Sequence, residues 1–155
     1  MSKLAITRRG GYHEYKVQYL EKVPLKSAKG IVKEGFSKLT YKRIQLTELQ
    51  YKLKHTYQRY IQSQFSIEKL TRNLQKWEEL DFGEFIKELK KAIKKTGSDK
   101  LTRMDEIEWM EVFETKKAEA QSLQVQITKI DKEIDAMVYE LYGLTDKEIA
   151  IVENS

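Results

Sequence analysis

The sequence contains no cysteine, one proline and two histidines among its 155 residues. Without cysteine the chain has neither disulfides nor thiolate metal ligands, which is typical of proteins from a reducing compartment. A zinc site would have to combine His13 or His55 with carboxylates from scattered positions. No apolar run is long enough to cross a membrane, and the N-terminus lacks a hydrophobic signal core. We therefore expect a cytoplasmic protein without a membrane partner.

The charged residues are distributed unevenly along the chain, although the formal net charge is only +5 at pH 7. Residues 1–60 carry fourteen Lys or Arg and four Glu, whereas residues 61–155 carry fifteen basic and twenty acidic residues. This asymmetry favours contact of the N-terminal half with a polyanion. A basic helix packed on an acidic helix would use some of the same charges.

The first thirty residues have the pattern of short strands and loops. Leu4–Thr7 is a short β-prone run, Gly10 and Gly11 indicate a turn, and Tyr12–Leu20 alternates apolar with polar residues. We predict one or two edge strands. Two strands alone are not stable in water, so this segment needs the helices or further sequence to complete a sheet.

A first long helix is predicted from about Gly35, over about thirty residues, because large apolar residues recur there at intervals of three and four. They are Phe36, Leu39, Leu46, Leu49, Leu53, Tyr57, Tyr60, Ile61 and Phe65. Two short helices follow, one capped by Ser66 and containing Leu70, Leu74 and Trp77, and a second from Phe82 to Lys95.

The second long helix is predicted from a capping box at Thr102 and Asp105 to Tyr142, over about forty residues. Its apolar seam has the three-four spacing of a coiled coil and consists of Ala120, Leu123, Ile127, Ile130, Ile134, Met137 and Leu141. Gly143 favours the left-handed conformation after a helix end, and Thr145 with Glu148 predicts the cap of a last short helix.

These elements predict a mainly α fold with a small β or irregular N-terminal segment at residues 1–30. Residues 31–155 form a helical domain in which the two long helices pair antiparallel, like a coiled coil, through two short connecting helices, and a C-terminal helix follows. We expect Ile130 and Ile134 to be buried opposite Leu46, Leu49 and Leu53. The basic residues 38–60 and the acidic residues 118–141 are expected to attract each other in this pair.

The best candidate binding site is a basic and aromatic cluster near the N-terminus, made of Arg8, Arg9, Tyr12, His13, Tyr15 and Lys16. Arginine can bind phosphate or a guanine edge, and aromatic rings can lie against bases or sugars. The alternative is a frayed basic terminus. Lys26, Lys29, Lys33, Lys38 and Lys42 are in turn either a stripe that follows phosphates or a solvated face.

The closing segment from Ile134 to Ile149 resembles the tail of type IIG restriction-modification enzymes and related adenine-specific DNA methyltransferases. Its pattern is Ile-Asp-x-x-Val-Tyr-Glu-Leu-Tyr-Gly-Leu-Thr-x-x-Glu-Ile. Upstream, residues 18–25 resemble the segment that ends the recognition domain of these enzymes. Leu74-x-x-Trp77, together with Phe82 to Leu89, resembles their helical connector.

The resemblance implies a DNA-specificity fragment of a larger enzyme. Residues 1–30 would be the remnant of a target-recognition domain, and residues 31–155 a scaffold similar to the coiled coil of type I specificity subunits. Its implied partners are double-stranded DNA and the methyltransferase domain. The parent enzyme would use S-adenosylmethionine and Mg²⁺, whereas this chain would hold no cofactor and no metal.

Catalysis by this chain is not expected. The lone Pro24, in Val-Pro-Leu, excludes both the Asn-Pro-Pro-aromatic methyltransferase motif and the Pro-Asp nuclease motif. Asp131 and Asp135 lie four apart on one helix face, and we interpret them as solvated or ion-paired rather than as metal ligands. An alternative function is that of an independent coiled-coil protein that dimerises through the seam and has no role with nucleic acid.

Overall fold

The structure, a computed structural model, describes residues 6–7, 13–14, 26–97 and 101–154. In these ranges the chain is mainly helical. The helices are α1 (Ile31–Gln64), α2 (Arg72–Gln75), a 3-10 helix (Trp77–Glu79), α3 (Phe82–Thr96), α4 (Arg103–Tyr142) and α5 (Asp146–Glu153). Two short strands precede them, and β1 (Ile6–Thr7) pairs antiparallel with β2 (His13–Glu14). The predicted mainly α fold is confirmed, with two long helices, short connecting helices and a C-terminal helix.

The two long helices pack side by side and run antiparallel. Their 34 and 40 residues correspond to lengths of roughly 51 and 60 Å. Gln50 Nε2 donates to Gln124 Oε1 at 2.9 Å, and Arg43 Nε donates to Asp131 Oδ1 at 2.6 Å. Moving seven residues back along α1 therefore moves the contact seven residues forward along α4. The result is a helical hairpin with a constant register.

The seam of this hairpin has a small buried cluster at its middle. Leu46, Ile127 and Ile130 are buried, and Leu39, Leu123 and Ile134 pack against them. The prediction for Ile130 is confirmed. Ile134 is only half-buried, so truncating its side chain should cost less than truncating Ile130.

The prediction that Leu49 faces the seam is wrong, because its side chain is 52% exposed. The three-four spacing of the seam continues from Leu46 through Gln50 to Leu53. Gln50 is half-buried there and bonds to α4, and Arg43 occupies the preceding seam position. Two polar residues thus lie on the buried side of α1, where the apolar pattern alone does not reveal them.

Most of the core lies at the closed end of the hairpin, where the connecting helices pack on α1 and α4. Trp77, Phe85 and Phe113 have no solvent exposure. The rings of Phe85 and Phe113 stack with centroids 4.6 Å apart, and Tyr57 meets Trp77 edge-on at 4.4 Å. Aromatic contacts of this kind add to the hydrophobic effect of burying the rings.

The segment that joins α1 to α4, here called the connector, does not begin with the helix cap predicted at Ser66. Ser66 does not cap a helix. It has φ of +51° just after α1 ends, and Thr71 caps the following turn through a hydrogen bond from the Leu74 N–H at 3.3 Å. The helix that contains Leu74 is therefore shorter than predicted. The predicted capping box of Thr102 and Asp105 is confirmed.

The buried hydroxyl of Tyr57 gives a stability prediction. The side chain is 3% exposed, and the hydroxyl has no hydrogen-bond partner among the described residues. Burial raises the pKa of Tyr57, and the nearby Tyr60 raises it further. Since an unsatisfied polar atom is costly to bury, we expect Tyr57→Phe to leave stability unchanged or raise it by up to about 1 kcal/mol at neutral pH, as measured by urea unfolding.

The pH dependence has a defined sign. The folded-state pKa of Tyr57 lies above the unfolded value of about 10. Ionisation of Tyr57 therefore leaves the free energy of unfolding unchanged below about pH 10 and lowers it as the pH rises further. Tyr57→Phe should lose less stability than the wild type in that alkaline range. Tyr41→Phe is the matched control, since Tyr41 is 64% exposed. A clear loss of stability in Tyr57→Phe at neutral pH would contradict the prediction.

Candidate nucleic-acid interface

The predicted N-terminal cluster lies almost entirely outside the described residues. Only the backbone of His13 is described, in β2, where it pairs with Thr7. The other five predicted residues, Arg8, Arg9, Tyr12, Tyr15 and Lys16, fall in the ranges that the structure does not describe. Their role in binding stays a prediction.

The segment that resembles the restriction-enzyme tail forms a sharp corner at the open end of the hairpin. Gly143 adopts φ of +66°, and the N–H groups of Gly143 and Leu144 donate to carbonyls in the last turn of α4. The backbone N–H of Thr145 donates to Glu148 Oε2 at 2.8 Å, and this bond, with a second from the Thr145 hydroxyl, lowers the pKa of Glu148. Both of these predicted turn signals are confirmed.

Helix α5 is tied back to α4 across this corner. The Tyr139 hydroxyl donates to Glu153 Oε1 at 2.8 Å, and this hydrogen bond raises the pKa of Tyr139 to about 12. At neutral pH the hydroxyl is protonated, as an ordinary tyrosine hydroxyl is, and it can donate this bond. The contact sets the direction in which α5 leaves the corner.

Lys26 fixes the chain before α1 to the same corner. Its backbone N–H donates to the Tyr142 hydroxyl at 3.2 Å, and its Nζ donates to the carbonyls of Leu141 at 3.1 Å and Tyr142 at 3.3 Å. A cation at a helix C-terminus also interacts favourably with the helix dipole. Lys26, which precedes α1, thus lies against the end of α4. Sequence reasoning missed this role, because no local pattern links positions more than a hundred residues apart.

The charges of the two long helices are opposite, yet few of them meet. Helix α1 carries seven Lys or Arg and two Glu, whereas α4 carries five basic and ten acidic residues. Within the described residues, Arg43 and Asp131 form the single ion pair between them. Both side chains are about 40% exposed, so this pair adds little stability. The expected attraction between the two helices is therefore mostly absent from their contact.

Most of the basic residues of α1 are instead exposed to solvent, and so are several of its aromatic side chains. The exposed set, here called the outward face of α1, consists of Lys38, Tyr41, Lys42, Ile44, Tyr51, Lys52, His55 and Arg59. Tyr41 and Tyr51 are 64% and 62% exposed. The rings of Tyr51 and His55 touch, with centroids 4.1 Å apart. One acidic residue, Glu48, lies within this face.

A polar cleft continues the outward face toward the closed end of the hairpin. It has a volume of about 480 Å³ and is lined by His55, Gln58, Gln62, Glu68, Lys69, Leu70, Gln75 and Lys76. Gln58 and Gln62 donate to backbone carbonyls of the connector and hold it against α1. The residues that the structure describes contain no group of three or more His, Asp or Glu that could hold a metal ion. In the same residues, no helix has both the length and the apolar character needed to span a bilayer.

The fold defines a class of protein: an antiparallel helical hairpin, closed by a compact aromatic cap and basic along one helix. Residues 30–138 match the family model of a domain of unknown function, DUF8810. The match spans 109 of the 155 residues, and the chain belongs to this family. No curated protein and no solved structure matches the chain significantly.

The matched range covers α1, the connector and most of α4. The predicted N-terminal cluster at residues 8–16 and the corner at Gly143 both lie outside it. Nothing in these matches names a restriction-modification enzyme, so that resemblance stays a prediction. The division into domains at residues 1–30 and 31–155 also stays a prediction.

Proposed function

We propose that this chain is a DNA-specificity scaffold of a restriction-modification enzyme. The observation that supports the proposal best is the attachment of Lys26 to the end of α4. The segment that carries the resemblance, Ile134–Ile149, contains that corner. A hairpin that fixes Lys26, just before α1, at its open end has the form that such a scaffold requires.

In this proposal the chain is not itself catalytic. The N-terminal cluster contacts the phosphates of double-stranded DNA, and the hairpin docks onto the methyltransferase part in the cytoplasm. S-adenosylmethionine and Mg²⁺ would be used by the parent enzyme and not by this chain. An Asn-Pro-Pro-Tyr-type motif encoded in the same reading frame upstream of Met1 would support the parentage.

The alternative of a coiled-coil protein that dimerises through its seam is less well supported. Ile127 and Ile130 are 5% and 3% exposed within a single chain, because α1 already covers them. A seam that is closed in this way leaves little apolar surface for a partner helix. A monomer in sedimentation experiments supports the scaffold, and a stable dimer supports the alternative.

The DNA contact predicted for the N-terminal cluster can be tested through its salt dependence. Each phosphate neutralised by Lys or Arg makes the plot of log affinity against log salt steeper by roughly 0.9. We expect the full chain to bind a random-sequence duplex weakly, and Arg8→Ala with Arg9→Ala to reduce this slope. Fluorescence anisotropy with a labelled duplex at several salt concentrations measures both quantities.

The control replaces Lys129 and Lys132 with Ala, which removes the same charge from exposed positions on α4. Its slope should match that of the wild type. Tight binding to one duplex sequence at physiological salt, with no effect of the Arg8 and Arg9 changes, would show that the N-terminal cluster is not the contact.

A further inference from the structure

We propose that the outward face of α1 is itself a contact surface for the sugar-phosphate backbone of nucleic acid. This inference goes beyond the proposed function, which gives the hairpin no DNA contact of its own. It is carried by described residues of α1 and does not depend on the N-terminal cluster. It also lies inside the range that matches the family model.

The cations of this face have no ion-pair partner among the described residues. Arg43 pairs with Asp131 and Lys54 pairs with Glu78. The four cations of the outward face form no ion pair with any residue in the described part of the chain; they are Lys38, Lys42, Lys52 and Arg59. Four unpaired positive charges on one exposed face attract a polyanion.

The charged face extends along much of α1. Lys38 and Arg59 are separated by 21 residues of continuous helix, or roughly 31 Å. The duplex backbone carries one charge per roughly 1.7 Å of its axis, so a nucleic acid lying along α1 presents phosphates to every cation on the face.

Tyrosine residues lie between the cations in the sequence of α1. Tyr41, Ile44 and Tyr51 are between 48% and 64% exposed, so their apolar surface is available to a ligand that contacts the cations. Tyrosine rings can pack on sugars or stack on unpaired bases without reading sequence. The contact of Tyr51 with His55 limits the freedom of both rings before a ligand arrives.

Charge decides between nucleic acid and other occupants. A second copy that packed the same face against this one would oppose cations with cations, which is unfavourable. A compact acidic patch on a protein would meet only part of a face that extends over roughly 31 Å. A linear polyanion complements the whole of it.

The test compares two triple variants of the full chain that lose the same charge. Lys38→Gln, Lys42→Gln and Lys52→Gln alter the outward face of α1. Lys94→Gln, Lys129→Gln and Lys132→Gln alter exposed helical positions elsewhere. Both variants should melt like the wild type. Anisotropy titrations use a random-sequence duplex longer than α1 and, separately, one of its single strands.

We expect the α1 variant to bind more weakly and its salt slope to fall by up to roughly 3, or about 1 for each phosphate that the variant no longer neutralises. The control should change little. A larger effect on the single strand than on the duplex assigns the tyrosines to unpaired bases, and equal effects assign the face to phosphates alone. Equal weakening of the two triple variants would show that only net charge matters, and would overturn the inference.

Two further results distinguish this inference from binding of an acidic protein and from DNA binding by the N-terminal cluster. If poly-glutamate displaces the duplex as well as unlabelled DNA of equal charge does, the face binds acidic proteins and the inference fails. If the α1 variant loses binding while Arg8→Ala with Arg9→Ala does not, the inference stands and the predicted N-terminal contact is wrong. The reverse result supports the N-terminal contact and overturns the inference.

Discussion

Phe113→Ala is expected to lower the free energy of unfolding by about 3–5 kcal/mol, the range observed for large aromatic residues truncated in a core. Phe113 has no solvent exposure and stacks on Phe85. It also meets Trp77 and Phe82 at centroid distances of 6.2 and 5.8 Å. Rigid rings on several sides cannot collapse into the space, so a cavity should remain. Urea unfolding followed by tryptophan fluorescence measures the loss.

The preceding residue supplies a control on the same helix. Val112 is 39% exposed. Val112→Ala should therefore lower the free energy of unfolding by no more than about 1 kcal/mol, much less than Phe113→Ala. Single domains are stable by only about 5–15 kcal/mol, so the Phe113 variant should also melt at a much lower temperature. Similar costs at the two positions would mean that the aromatic cluster does not hold the closed end together.

The parts of the fold that could be predicted from the sequence depend on residues close together in the chain. Thr102 and Asp105, or Thr145 and Glu148, cap a helix because three residues separate the two partners. Gly143 ends α4 because a left-handed conformation costs glycine little. The seam of α4 was also predictable, since its apolar residues keep one spacing over several turns.

The errors came from contacts between distant residues. The seam side of α1 includes two polar residues, Gln50 and Arg43, which bond to Gln124 and Asp131 of α4. A search for apolar residues alone does not find them. The spacing of apolar residues predicts Leu49 in the seam, whereas the structure has it exposed. The role of Lys26 likewise depends on Tyr142, at the far end of the hairpin.

The candidate site shows a similar division. The basic and aromatic character of residues 8–16 is a property of composition, and sequence alone could identify it. The outward face of α1 required the structure, because Tyr41 and Tyr51 could equally have been covered by the connector. The connector instead packs farther along α1, where it accepts hydrogen bonds from Gln58 and Gln62. The exposure of Tyr41 and Tyr51 therefore depends on which stretch of α1 the connecting helices cover.

The open half of the hairpin has a much smaller core than the closed end, and Ile130→Ala should expose this difference. Leu46, Ile127 and Ile130 are the three buried residues of the mid-seam cluster. Removing most of the Ile130 side chain should cost about 2–4 kcal/mol, because the two helix backbones cannot close the gap without breaking their register.

The loss at Ile130 should be local as well as global. Hydrogen exchange should accelerate most in the first half of α1 and the last half of α4, while amides near Phe85 and Phe113 keep more of their protection. Leu49→Ala is the matched control, since this side chain is 52% exposed and its removal should cost no more than about 1 kcal/mol. If exchange instead rises equally throughout both long helices, the hairpin opens as one cooperative unit, and the open half does not depend on the mid-seam cluster alone.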